Sequence, residues 1–293
     1  MEVKSPITIK QQVKLLESRG LVVENEKDAE NFLKRVNYYT VSGYLHAFKD
    51  GENFKDGITM TKLKNIYQCD KRFKNIILYA IDEIEQNLKT KIAYELAHKA
   101  GALCHEDVSN FKSEESFEKF ANIFKDVIKH NSNVPFVKHH IDKYESHFPI
   151  WVAVNLFTLG TLERFYNNLE TRYQKCIAKD LKVSVPILQD RLRAISYLRN
   201  MAAHYMRLYN FKLSIIPMLD RNTKEFPKPT HRVFDIIYIM KYLYPVPDEW
   251  LHFILPSIEQ IFDEYKEYID IRSYGFHDNW KSLLNKIPCQ FND

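Results

Sequence analysis

From residue 63 to residue 96, apolar side chains recur at Leu63, Ile66, Tyr67, Phe73, Ile77, Ile81, Ile84, Leu88, Ile92 and Leu96. Steps of three and four keep one face of an α-helix apolar, and a strand, with its period of two, cannot use that spacing. The pattern predicts a single long helix over 63–96, the longest in the chain. A rod of that length needs partners along its whole apolar stripe, and the other segments with helical spacing supply them. No run alternates with period two for long enough to build a sheet. The expected fold class is therefore all-α: a helical bundle with helical extensions at both ends.

The punctuation of the chain supports this. Helices are expected at 9–19, stopped by Gly20, and at 28–36. Gly51 and Gly57 bracket a polar loop and suggest a first boundary. A small, polar loop follows the long helix at 101–113, with helices after it at 114–130 and 135–146. Pro149 marks another helix start, since a first-turn proline loses no hydrogen bond. Ser184-Val185-Pro186 repeats that signal, with Ser184 as the candidate N-cap and Pro217 as the far limit of the helix that follows. A polar, proline-containing connector at 220–230 precedes helical stretches at 231–243 and 248–269. The implied organisation is an N-terminal helical region at 1–56, a central helical domain at 57–220 and a C-terminal helical region at 221–293 packed on it.

Composition narrows the function classes. The chain has 293 residues, enough to bury a sizeable core, and only 7 are glycine. It contains neither G-x-x-x-x-G-K-[ST] nor G-x-G-x-x-G, so no nucleotide cofactor of those kinds is expected. The formal net charge of +4 is a mild basic bias, compatible with nucleic acid. Four scattered cysteines (Cys69, Cys104, Cys176, Cys289) form no C-x-x-C pair, so neither a zinc ribbon nor a redox couple is supported. The first residues lack an apolar signal core, and no apolar run reaches the ~18 residues of a membrane span. A reduced, cytoplasmic protein with no membrane segment is expected.

The chemistry concentrates between Arg193 and Asn210. On a wheel of about 100° per residue, Ala194, Ile195, Leu198, Met201, Ala202, Tyr205, Met206, Leu208 and Tyr209 share an apolar arc. Arg193, Ser196, Arg199, Asn200, Ala203, His204, Arg207 and Asn210 share the other. The reading is one amphipathic helix reaching Asn210 that offers a basic, amide-rich side to something else. Arginine brings a permanent planar charge suited to phosphate oxygens, and histidine trades a proton near neutral pH. Arg199 and His204 sit at opposite edges of the polar arc, roughly 7.5 Å apart along the axis. A long arginine could sweep inward, or a second copy of the helix across a two-fold axis could unite the pair; the spacing does not choose. With 12 arginines and 11 histidines, chance alone gives roughly 0.45 matches to R-x4-H. A second match, Arg272 to His277, contains a glycine and lacks a helical context.

Five segments in collinear order over about residues 10–220 carry a resemblance. They are the opening Gln11 to Gly20; Asn37-Tyr38-Tyr39-Thr40-Val41-Ser42-Gly43-Tyr44; Cys69-Asp70-Lys71-Arg72 through Glu85; Pro149-Ile150-Trp151 with Thr158-Leu159-Gly160-Thr161-Leu162; and Leu198-Arg199-Asn200 through Asn210. Together they resemble the Abi-like abortive-infection family, within the HEPN superfamily of helical ribonucleases and nucleic-acid-binding proteins. Relatives often have a second histidine where this chain has Tyr205, and a tryptophan where it has Tyr209. The resemblance implies a HEPN-like bundle and a phage-defence or toxin ribonuclease. It also implies a homodimer with a composite cleft, and in some relatives a structured small RNA as partner.

The function expected from both lines is a metal-independent RNA endonuclease. Arg199 and His204 are the candidate catalytic residues, with Asn200, Arg207, Arg193 and Arg72 as supporting or RNA-contacting residues. Asn210 reads as structural, and Arg72 and Glu85 as a possible helix-tying pair. The basic early face of the long helix (Lys62, Lys64, Lys71, Arg72, Lys74) reads as a solvated charged face or, alternatively, an RNA-backbone surface. His139, His140 and His147 complete no known zinc pattern, so no metal or other cofactor is expected. The alternative function is a non-catalytic module that holds a structured small RNA or a partner protein.

Overall fold

The computed structural model describes residues 5–219, 226 and 228–286. Its spine is the helix that the apolar period predicts. Numbering helices in chain order, α1 spans Ile9–Ser18, α2 Glu26–Arg35, α3 Tyr38–Leu45 and α4 Met60–Ala100. The 41 residues of α4 make a rod roughly 60 Å long. The Thr59 hydroxyl accepts the Lys62 amide at 3.0 Å and opens the helix. Gly101, at φ 88°, ends it. Ile66, Phe73, Ile77, Ile81, Ile84, Leu88 and Ile92 along its stripe are all buried, each worth about 1.5–3 kcal/mol relative to exposure.

The remaining helices wrap this rod: α5 Glu114–His130, α6 Pro135–Tyr144, α7 Ile150–Ala153, α8 Leu159–Asn168, α9 Thr171–Asp180, α10 Val185–Ala203, α11 Val233–Met240, α12 Pro247–Glu249, α13 Leu255–Glu264 and α14 Trp280–Asn285. A π turn at Trp250–Ile254 joins α12 to α13. Helices α3, α7, α9, α10 and α13 all pack on α4, and α10 also packs on α8 and α11. Among the described residues, the named strands form a two-stranded ribbon, Lys49–Asp50 against Asn53–Phe54, which turns at Gly51-Glu52. The protein is all-α.

The N-terminal helices are stitched to the start of α4. The Val22 amide donates to the Ile58 carbonyl at 2.9 Å and the Met60 amide to the Val22 carbonyl at 2.8 Å. At the other end of the sequence, the Phe73 ring lies 5.2 Å from Phe262 and 4.9 Å from Tyr274. Buried side chains from Val13 to Leu284 form one continuous cluster across both expected boundaries. Most of the 220–230 connector, and Cys289, fall outside the described residues; Cys69, Cys104 and Cys176 are free thiols. Among the described residues, no helix is long and apolar enough to cross a membrane.

One expected element is corrected. Helix α10 starts where the Ser-Val-Pro signal puts it, although the Ser184 hydroxyl makes no cap bond. It does not continue to Asn210 or reach Pro217; it ends at Ala203. The reason is tertiary. Asp70, fully buried on α4, accepts the backbone amides of Leu208 at 3.3 Å and Tyr209 at 3.0 Å. A continuing helix would commit those amides to carbonyls four residues back. Leu208 and Tyr209 are buried all the same, so their apolar spacing is satisfied by a packed loop.

Candidate functional site

Two elements far apart in sequence meet where α10 ends. The first is α3. Its N-cap Asn37 accepts the Tyr39 amide at 2.7 Å, and successive side chains then fan out by about 100° each. Tyr44 points inward and its hydroxyl donates to Asp70 Oδ2 at 2.6 Å. Burial, then the Asp70 charge, push the Tyr44 phenol far above its ordinary range, so it stays protonated. Tyr39 points outward and is 84% exposed.

The second element is the turn after α10. The Tyr205 amide donates to the Ala202 carbonyl at 3.2 Å and the Met206 amide to the Met201 carbonyl at 2.9 Å. This pair of bonds is a Schellman closure, whose left-handed position usually holds glycine. Here Tyr205 occupies it, at φ 57°. His204 is the C-cap, with its amide donating to the Asn200 carbonyl at 3.0 Å. The loop beyond is pinned from below. Lys74 Nζ lies 3.2 Å from Asp70 Oδ2 and donates to the Met206 carbonyl at 3.2 Å. Asp70 and Lys74 are both buried, and together with Tyr44 they fix the path of residues 206–209.

Between these elements lies an open cleft of about 550 Å3. Its lining includes Tyr39, Thr40, Ser42 and His46 from α3 and the turn after it, and His204, Tyr205, Arg207 and Phe211 from the α10 side. Among the described residues, no Asp or Glu lines it. Arg207 is half-buried; its Nη1 is shielded from water and, among the described residues, has no hydrogen-bond partner. Burial lowers the Arg207 pKa, offset by Tyr44 and Asp70 and reinforced by Arg232, yet a guanidinium remains charged at any physiological pH. Its Cζ lies 5.9 Å from the Phe211 ring centroid. Partial burial, then Lys49 and Arg207, lower the pKa of His46. The cleft thus gathers two imidazoles, a half-buried guanidinium, the Thr40 and Ser42 hydroxyls and exposed aromatic rings.

Of the residues singled out from sequence, His204 and Arg207 line this cleft. Arg199 does not; it is half-buried on α10 and, among the described residues, its side chain makes no hydrogen bond or ion pair. Asn200 is exposed and contributes its carbonyl to the His204 amide. Arg193 pairs with Asp190 at 2.9 Å. Arg72 ties α4 to α13 through Glu264, with its Cζ 5.7 Å from the Tyr265 ring centroid. Glu85 instead pairs with Lys89 at 2.8 Å on its own helix. Much of the basic early face of α4 is spent internally: Lys64 on Asp28, Lys74 on Asp70, Lys62 over the Phe48 ring. Asn210 accepts from Arg232 at 3.0 Å, a structural role. The second R-x4-H match lies in a turn, with Arg272 paired to Asp278.

His46, Ser42, Thr40 and Tyr39 received no site role from sequence. The 37–44 segment is visible as a motif, but nothing in its spacing says that it faces His204. His140 Nδ1 bonds the Phe136 carbonyl, and His147 Nδ1 bonds Glu106 at 2.6 Å. Among the described residues, no three of His, Cys, Asp or Glu converge as a metal site.

A family model described as Abi-like protein matches residues 31–210, a span that includes α3, α4, α10 and the turn after it. No curated protein and no solved structure matches the chain.

Proposed function

Because the chain belongs to the Abi-like protein family, we propose that it is an RNA endonuclease of abortive-infection phage defence that cuts without a metal ion. Phage defence is what the family suggests; the cleavage chemistry is our reading of the cleft. The observation that carries it is the convergence of His204, Arg207 and His46 in one carboxylate-free cleft. That set suits a polyanion and offers both a proton carrier and a phosphate clamp.

RNA carries its own nucleophile. The ribose 2′-oxygen attacks the adjacent phosphorus, the bond from phosphorus to the 5′-oxygen breaks, and the ends are a 2′,3′-cyclic phosphate and a 5′-hydroxyl. His204 takes the 2′-hydroxyl proton as general base, and the departing 5′-oxygen takes a proton back from the resulting imidazolium. The guanidinium of Arg207, which lines the cleft, donates to a non-bridging oxygen, where negative charge grows in the transition state. Arg199 lies outside this cleft in a single chain, so in this reading a second copy supplies it and the working enzyme is a homodimer. DNA lacks the nucleophile and is inert.

The test is cleavage of single-stranded RNA in EDTA. Wild type cuts and leaves cyclic-phosphate ends; His204→Ala loses at least about 10²-fold. Mixing the His204→Ala and Arg199→Ala variants restores part of the activity if the site is shared between copies. If cyclic phosphate formed equally well without His204, the mechanism fails. Salt-sensitive RNA binding with no cutting in any condition favours instead a module that only holds RNA.

A further inference from the structure

We infer that Tyr205 and Tyr39 form an aromatic clamp for the unpaired bases flanking the phosphate held in the His204–Arg207 cleft, so that the protein takes single-stranded and not duplex RNA; this rests on the nucleic-acid reading of that cleft. Tyr205 is 72% exposed and Tyr39 84% exposed. Both line the same cleft, one from each wall. Large aromatic rings left this open cost hydration free energy unless something covers them.

Tyr205 is also held there against its backbone preference. Its φ of 57° is a left-handed conformation that glycine adopts freely and other residues enter at a cost. Glycine would close the Schellman turn equally well, so the turn itself does not call for a ring. Strain retained beside His204 points to work done by the side chain. The turn sends that ring to solvent directly next to His204, and the Asp70–Lys74 network under residues 206–209 keeps the loop from swinging away.

The occupant follows from charge and shape. A protein partner would meet exposed rings around a floor of Arg207, His204 and His46 with no carboxylate in the lining. A single strand offers what this combination takes: a phosphate for the Arg207 guanidinium that lines the cleft and planar bases for the rings. Duplex RNA keeps its bases stacked on each other and cannot present a free face.

The experiment measures binding and cutting separately. A fluorescent 2′-O-methyl oligoribonucleotide, which cannot undergo the cleavage, is titrated as a single strand and as a duplex with its complement. Wild type favours the single strand by at least about tenfold. Tyr205→Gly weakens that binding about 5- to 150-fold, the range for one base–aromatic stack, and Tyr39→Ala does likewise. Tyr205→Phe keeps the affinity, and the melting midpoint of Tyr205→Gly is not lowered, which separates lost stacking from lost folding. Equal affinity for the duplex, or unchanged binding by Tyr205→Gly, overturns the clamp. So does a change in sedimentation without a change in RNA affinity, which would make these rings a contact between copies. If wild type binds through the clamp but never cuts RNA, the nuclease reading falls and the clamp stands. If cutting depends on His204 while Tyr205→Gly binds and cuts as wild type does, the reverse holds.

Discussion

At the scale of single residues, conformation and chemistry pull in opposite directions at Tyr205. Its left-handed backbone costs about 1–2 kcal/mol for a residue with a Cβ, and glycine would recover that while losing about 0.5–1 kcal/mol in unfolded-chain entropy. Tyr205→Gly is therefore expected to lie between wild-type stability and about 1.5 kcal/mol above it. Tyr205→Val adds a β-branch in a conformation where branching is least tolerated, and falls below wild type. Urea midpoints for the two variants check the order; a Gly variant clearly less stable than wild type would show that the ring is held by packing and not by the turn. Arg207 contrasts with its neighbours in being charged, half-buried and short of a partner at Nη1. Arg207→Lys keeps the charge and loses the planar fork, so phosphate binding should weaken while the fold persists, measured as a loss of RNA affinity at constant melting midpoint.

At the scale of elements, the turn after α10 is only as well fixed as the network beneath it. Lys74 and Asp70 are a buried ion pair at 3.2 Å, and each also serves backbone groups of residues 206–209. Lys74→Met strands a buried carboxylate and is expected to cost about 3–5 kcal/mol. Lys64→Ala breaks the more exposed pair with Asp28 and should cost no more than about 1 kcal/mol. Denaturant unfolding distinguishes them, and similar losses in both would remove the special standing of the Asp70 network. The same comparison explains what could be read from sequence. The long α4 was legible because its apolar period is a local property that packing only reinforces. The end of α10 was not, because Leu208 and Tyr209 keep a helical apolar spacing while Asp70, on another helix, takes their amides. His204 and Arg207 were legible as chemistry. His46, Tyr39 and the hydroxyls beside them were not, since their role depends on α3 crossing the end of α10. The sequence places Arg199 and His204 on one continuous polar face, but within one chain Arg199 stands outside the cleft that His204 lines.

At the scale of the whole molecule, one core runs from α1 to α14, so a buried group anywhere in it can report on global unfolding. His105 is the most informative such group. It is 2% exposed, and among the described residues neither ring nitrogen has a hydrogen-bond partner. Its ring centroid lies 5.3 Å from that of Phe124 and 6.4 Å from that of Phe120. Nε2 comes within 3.8 Å of Glu106, an approach that favours the imidazolium, but burial among the rings outweighs it and pushes the pKa down to about 4. The unfolded chain, with an ordinary histidine near pH 6.5, therefore binds a proton that the folded chain refuses. Stability is full above pH 6.5 and drains away as pH falls towards 4, by an amount on the order of 3 kcal/mol at the lower end. Carboxylates elsewhere also titrate on the way down, so wild type alone does not isolate the effect. The difference between wild type and His105→Leu does: the Leu variant should lose less stability between about pH 6.5 and 4, by that same amount, because it has no proton to refuse. Parallel pH profiles for the two proteins would mean that water or a local opening reaches the imidazole before the core unfolds, and that the aromatic packing around His105 is looser than its burial implies.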